Sequence, residues 1–244
     1  MPETQHILIL ANSERAGGRC VAGKLATPLT DGTFDVGTQW IRLTNPSGTG
    51  EGTVPYSDTI CRPNRTAVRP LDIVKVAISS HCGNPDHPED WYYERNQPWQ
   101  WAGNVAFSDL AAFVDTPPSL WHLTESDAVP TGYMRTMPPP PASLYLIKAP
   151  ARWTLKYFKE WNSFKGYDKK RRRLELTFAG KHHEFSVTDP EFDRRFKLPG
   201  AVSQWPDLPQ TLTVPDPAGC YFCLSLTPEL NSRHYKICAT LFET

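Results

Sequence analysis

No stretch of about 18 consecutive apolar residues occurs in the 244-residue sequence, so no membrane-spanning helix is expected. The opening MPETQHILIL shows no charged region followed by an apolar core and a small-residue cleavage site, which reads as a cytoplasmic chain with no membrane partner. Net charge is absent as well: 26 Lys and Arg balance 26 Asp and Glu, which argues against an unconditional nucleic-acid coat. A disulfide framework is not expected, because four of the six cysteines (Cys20, Cys220, Cys223, Cys238) stand in or beside apolar segments, as buried thiols do. Long helices are excluded by 24 prolines scattered from Pro2 to Pro228, each of which removes a backbone donor.

What is present is short and strand-like. His6–Leu10 is an apolar run that periodicity alone cannot assign, but its length and the following turn favour a strand. Arg19–Ala22, Gln39–Leu43 and Asp72–Ile78 read as further strands, with a flexible Gly-rich loop at Ser47–Thr53. A short helix is expected at Asp109–Val114, capped by Ser108. The proline-rich residues 131–142 read as a linker between a first domain, 1–130, and a second, 143–244. The second half offers a strand at Leu144–Lys148 and a hairpin, Leu174–Phe178 and Glu184–Val187, turning at Gly180. A short helix follows from Asp189-Pro190 to Phe196, then a strand pair at Tyr221–Leu226 and His234–Phe242. The fold class expected is mainly β, two small barrels in tandem, each with a short helix.

Several motifs run in order along the chain: Ala11-Asn-Ser-Glu-Arg15, Gly17-Gly-Arg-Cys-Val-Ala-Gly23, Trp40-Ile-Arg42, Leu71-Asp-Ile-Val74, Ser143-Leu-Tyr-Leu-Ile147, Ser186-Val-Thr-Asp-Pro190 and Leu224-Ser-Leu226. On these the sequence resembles the dual OB-containing domain family. The resemblance implies two oligonucleotide-binding barrels in tandem and a nucleic-acid or nucleotide sensor of prokaryotic anti-phage systems. The aromatic-rich stretch from Trp91 to Trp101 departs from the family pattern.

Charge is segregated along the chain. Residues 81–130 carry eight acids against one base, whereas residues 145–200 carry fourteen bases against seven acids, so a polyanion should meet the later segment first. Within it, Trp153, Tyr157, Phe158, Trp161, Phe164 and Tyr167 alternate with Lys156, Lys159, Lys165 and the run Lys169, Lys170, Arg171, Arg172, Arg173. Aromatics that stack bases beside cations that neutralise phosphates are what single-stranded nucleic acid requires. The competing readings are rings packed on the second barrel beneath a solubilising face, and a protein-docking surface. In the first half Arg15, Arg19, Lys24 and Arg42 form a candidate phosphate-binding set, with Trp40 on the face of Arg42 as a stacking partner or, if it points inward, simply core.

Gly18–Leu25 nearly matches a phosphate-cradling loop, but Leu25 lacks the Mg²⁺-binding hydroxyl and Pro28 prevents the following helix. His81–Glu94 holds enough acids and imidazoles for a hydrolase or a metal, at no recognisable spacing. Cys220 and Cys223 form a C-x₂-C pair inside strand-like sequence, where positions three apart face opposite sides. The reading is therefore a binding module without metal, cofactor or catalytic residues, whose ligand is single-stranded nucleic acid or a nucleotide. An adaptor with a protein partner and a nuclease or nucleotide hydrolase are the alternatives.

Overall fold

The structure, a computed structural model, describes residues 2–15, 17–47, 52–62, 65–122, 126–139 and 141–243. Residues 48–51 of the Gly-rich loop and Pro140 of the proline run lie outside the described residues. The first half contains β1 (Glu3–Arg15), β2 (Gly18–Pro28), β3 (Phe34–Thr44), the two-residue strands β4 (Ile60–Cys61) and β5 (Thr66–Ala67), β6 (Asp72–His81), β7 (Asp90–Tyr93) and β8 (Gln100–Asn104). The short β9 (Ala128–Pro130) follows, and the rest comprises β10 (Leu144–Lys148), β11 (Trp153–Asn162), β12 (Tyr167–Phe178), β13 (Lys181–Val187), α1 (Phe192–Arg195), β14 (Gln210–Leu212), β15 (Tyr221–Leu226) and β16 (Arg233–Phe242). Among the described residues no helix is long and apolar enough to cross a membrane.

The first sheet closes on itself. Pairing runs β1-β2-β3-β7-β6 and returns to β1, with β3 and β7 parallel and the other neighbours antiparallel. Closure depends on β1 being long enough to serve two partners: Glu3–Leu8 pairs with β6, while His6–Arg15 pairs with β2 past a register shift at Ile9/Ala11. Gly23 sits at the crowded crossing, where a Cβ would fall 1.9 Å from the Leu8 carbonyl oxygen, so only glycine fits.

The second sheet repeats this circuit with its first strand broken. β10 pairs with β15 and β11 with β12, and the path β15-β16-β13-β12 joins them, again with one parallel contact, between β13 and β16. Hydrogen bonding continues up to the break on both sides, Ala149 N–H donating to Cys220 O (2.9 Å) and Thr177 N–H to Arg152 O (3.0 Å). The bend falls at Pro150, which has no donor to lose. These are the tandem OB-like barrels that the motifs implied.

Apolar periodicity explains how the barrels meet. In β1, Ile7 and Ile9 point into the first barrel with Val21, Ile41, Val74 and Tyr93. Leu8 and Leu10 point out of it and pack with Trp40, Leu144, Leu146, Tyr221, Ile237 and Phe242. A strand covered on both faces reads as a continuous apolar run, which is why His6–Leu10 shows no alternation. In β15 and β16, Phe222, Leu224, Cys238 and Leu241 fill the second barrel, whereas Cys223 and Ala239 face the first. At about 1.5–3 kcal/mol for each large buried side chain, this shared layer outweighs any polar contact across it.

The helix expected at Asp109–Val114 is a 3-10 segment, Phe107–Phe113, that buries Leu110. Its first turn is capped by Asp109, whose carboxylate accepts from Ala106 N–H (3.1 Å), and Ser108 instead donates to Asp109. The helix after Pro190 is a single turn, α1, preceded by Asp189 Oδ1 accepting from Glu191 N–H (2.9 Å). Leu120, Trp121, Val129 and Met134, which precede the second barrel in sequence, are buried in its core, and β9 pairs with β16.

Candidate nucleic-acid interface

The aromatic and basic segment of the second half folds as one long hairpin, β11 and β12 paired from Trp153↔Leu176 to Asn162↔Tyr167. Because strand side chains alternate, the five consecutive bases of β12 divide between two faces. Lys170 and Arg172 face α1: both contact the Asp193 carboxylate, and both cations lie over the Trp205 ring, at 5.0 and 5.1 Å from its centroid. Lys169, Arg171 and Arg173 share the opposite face with Tyr167 and with Phe158, the cross-strand partner of Arg171. Arg171 reaches Glu160 and Arg173 donates to Ser186 Oγ.

The tip between β1 and β2 comes against this row of bases. Glu14 N–H donates to Thr188 O (3.1 Å), joining the first barrel's hairpin to the end of β13. Gly18 fits this tip within its own barrel, since a Cβ there would stand 2.3 Å from the Val54 carbonyl oxygen. Between the two lies a cleft of about 870 Å³ whose walls include Arg15 and Arg19 from the first barrel and Lys169 to Arg173 from the second. Six carbon-rich or neutral positions and three acids complete it, and the acids are engaged: Asp193 with Arg172, Asp189 with Arg195 and Leu241 N–H, and Glu14 with Arg19. Burial, then repulsion from Arg171, Lys165 and Arg173, lowers the pKa of Lys169; burial and Arg171 lower that of Arg173. The field of the cleft is therefore positive and incompletely neutralised from within.

The remaining first-half residues expected on a phosphate-binding face are buried between the barrels. Lys24, 1% exposed, donates to Asp115 Oδ1 (2.6 Å) and Phe113 O (2.7 Å). Trp40 Nε1 donates to Asp115 Oδ2 (3.0 Å), which also accepts from Leu146 N–H (2.8 Å), so one carboxylate ties both barrels. Arg42 donates to His87 Nδ1 (2.6 Å), Asp90 Oδ1 (3.1 Å), Ser143 Oγ (3.0 Å) and Ser225 Oγ (3.0 Å). Lys24 and Arg42 carry the parity of Trp40 and Leu10, the inter-barrel face, and that parity buries them. Trp161 ends β11 at 62% exposure, outside the walls of the cleft, beside Phe164 and Tyr167 at 95% and 51%.

Of the acids and imidazoles of His81–Glu94, His87, Glu89 and Asp90 belong to the same buried network, whereas His81 is exposed and donates to Pro88 O (2.7 Å). Glu89 accepts from Ser143 N–H (2.6 Å) and Oγ (2.7 Å), and Asp90 pairs with Arg42. Burial and the neighbouring Arg42 push His87 down to about 2, while burial pushes Asp90 up to about 6 against the pull of Arg42. Neither of the two large cavities is lined by any of these groups. Gly18–Leu25 is part of β2, so the near phosphate loop is strand. Cys220 and Cys223 fall in different apolar clusters, one inside the second barrel and the other between the barrels.

Tyr56 was not singled out by sequence reasoning. It begins a 3-10 turn, Tyr56–Thr59, is more than half exposed, and carries the Arg19 guanidinium 5.5 Å from its ring centroid. An isolated tyrosine after Pro55 gives no periodic signal; only the fold brings it to Arg19.

No curated protein matches the chain. A solved structure described as a murine DNA binding protein bound with ds DNA aligns over 99% of this chain and 97% of that one. The identity is 9% and the TM-score 0.29, too low for a common fold to be inferred. The profile of the dual OB-containing domain, by contrast, matches residues 5–241, spanning both barrels and the cleft between them. With two five-strand circuits of the same connectivity meeting face to face, the chain belongs to the dual OB-containing domain family.

Proposed function

We propose that this protein binds single-stranded nucleic acid, without turnover, in the basic cleft between its two barrels. The observation that carries this reading is the convergence of Arg15 and Arg19 with Lys169, Arg171 and Arg173, which are far apart in sequence and line one cavity. Cations held close together, as the lowered pKa values of Lys169 and Arg173 show, gain stability when an anion enters, and a phosphate backbone supplies several such anions in a row. Exposed rings at Tyr56 and Tyr167 border the cations and offer stacking faces that unpaired bases can use and a duplex cannot. The two barrels each contribute one side of the site. In the cytoplasm, as the sensing part of an anti-phage assembly, such a module reports single strands to a protein partner.

A second reading has its own observation. The β11–β12 tip exposes Trp161, Phe164 and Tyr167 together, a patch suited to a protein partner. The test is titration of labelled single-stranded oligonucleotides and mononucleotides at several salt concentrations, with wild type and the Lys169→Ala/Arg171→Ala/Arg173→Ala variant. Binding should weaken for every sequence, and the dependence of log affinity on log salt should flatten by nearly one unit for each phosphate that the variant leaves without its cation. Unchanged binding by the variant would return the protein to the adaptor reading, and binding of mononucleotides alone would make the ligand a nucleotide.

A further inference from the structure

A second cavity, of about 840 Å³, adjoins the basic cleft. Arg19, Tyr56, Asp189 and Pro190 stand in the walls of both, so the two form one groove that narrows at the Tyr56 ring. Beyond that point the chemistry changes. Val68, Leu71 and Phe107 from the first barrel and Leu241 and Phe242 from β16 make an apolar part of the wall, beside the cation Arg69 and two ion pairs, Arg194 with Glu191 (2.6 Å) and Arg195 with Glu243 (3.7 Å). Asn12 stands there as well: its Nδ2 donates to Val68 O (2.7 Å), while its Oδ1 is buried with no partner in the structure. Arg19 Nη1, at the junction, likewise has no hydrogen-bond acceptor, its nearest carboxylate oxygen on Glu14 lying 3.7 Å away. The one acid shared by both cavities, Asp189, is already neutralised by Arg195 (3.0 Å) and Leu241 N–H (3.2 Å).

A chamber with an apolar wall, reached from a cationic cleft past an exposed ring, suits a base whose phosphate stays outside. We propose that a single strand held in the basic cleft continues over Tyr56, stacking one base on its ring and lodging the next among Val68, Leu71 and Phe107. Arg19 then meets the phosphate at the crossing, and Arg69 meets the next one beyond it. The inference rests on the nucleic-acid reading and adds to it a second subsite, a path and a minimum length of ligand.

The test compares oligonucleotides of about 4 and about 16 nucleotides, the span over which one OB barrel's site size ranges, on the full chain. Tyr56 and Arg69 are exposed, so Tyr56→Ala and Arg69→Ala should leave the fold intact. Tyr56→Ala should weaken both strands, but the longer about tenfold more than the shorter, the loss of the one further base stacked beyond the crossing. Tyr56→Phe, which keeps the ring, should restore both. Arg69→Ala should weaken the longer strand alone and lower its salt dependence. The same fold-loss at both lengths, no loss at either, or a duplex bound as tightly as the single strand and indifferent to Tyr56, would overturn the crossing while leaving the basic cleft in place. A wild-type protein that binds neither length would overturn the cleft itself, and the crossing with it.

Discussion

At the scale of single residues, His87 is the most constrained group between the barrels. Its Nδ1 accepts from Arg42 (2.6 Å), which places the ring proton on Nε2, and a second proton would have to face the guanidinium. The ring is 1% exposed and its pKa stands at about 2 in the folded chain against about 6.5 when unfolded. A depressed value means that the folded state resists protonation, so stability is intact above about 6.5 and is lost as the pH falls through and below that value. Asp90, raised to about 6, works in the opposite sense: its contribution favours folding at low pH and disappears as the pH rises past 6. Comparing wild type with His87→Asn isolates the histidine. The variant should be the less stable of the two at pH 7, and its deficit should shrink by about 2 kcal/mol by pH 5, measured by denaturant unfolding. A deficit that does not change with pH would show that His87 is not held neutral.

At the scale of the element, β12 shows how two-residue periodicity turns one run of charge into two functions. Lys170 and Arg172 brace α1 through Asp193 and stack on Trp205, whereas Lys169, Arg171 and Arg173 are on the other face. Lys170→Ala/Arg172→Ala should therefore lower the stability of the second barrel by about 1–3 kcal/mol, because Asp193 loses its cations and Trp205 its cover. Strand affinity of the folded variant should change less than in the odd-numbered triple variant. Thermal unfolding combined with oligonucleotide titration checks both halves of the statement. The run Lys169–Arg173 was legible as a basic patch, and so was the need for most of it to avoid the core. Which bases brace the fold was not legible, because a run of five like residues carries no mark of strand register. The same blindness applies to Lys24 and Arg42, whose buried partners Asp115, Ser143 and Ser225 lie in distant parts of the chain.

At the scale of the whole molecule, the inter-barrel layer makes the two barrels one cooperative unit. Leu8, Leu10, Trp40, Leu144, Leu146 and Phe242 are buried only because both barrels are present, and Arg42 and Asp115 have hydrogen-bond partners on both sides. Separation would expose that apolar layer and take from Arg42 its hydrogen bonds to Ser143 and Ser225, about 1.5–3 kcal/mol for each bond to a charged group. Equilibrium unfolding should accordingly show a single transition, with tryptophan fluorescence and far-UV circular dichroism coinciding. Two resolved transitions, one per barrel, would show that the layer does not couple them. Rigidity of this kind matters to the proposed site, since Arg15 and Arg19 face Lys169–Arg173 only while the barrels remain docked.

The sequence by itself determined the β class, the two-part plan, most strand positions and the basic and aromatic character of 153–173, because alternation, turn residues and charge are local properties. It also carried the family motifs, several of which are places where backbone approaches backbone, as at Gly18 and Gly23. Only the tertiary structure decided which charges are available to a ligand. Burying Lys24, Trp40 and Arg42 and gathering Arg15, Arg19 and the bases of β12 into one cleft both follow from how two closed barrels dock, and docking is fixed by surfaces assembled from residues more than a hundred positions apart.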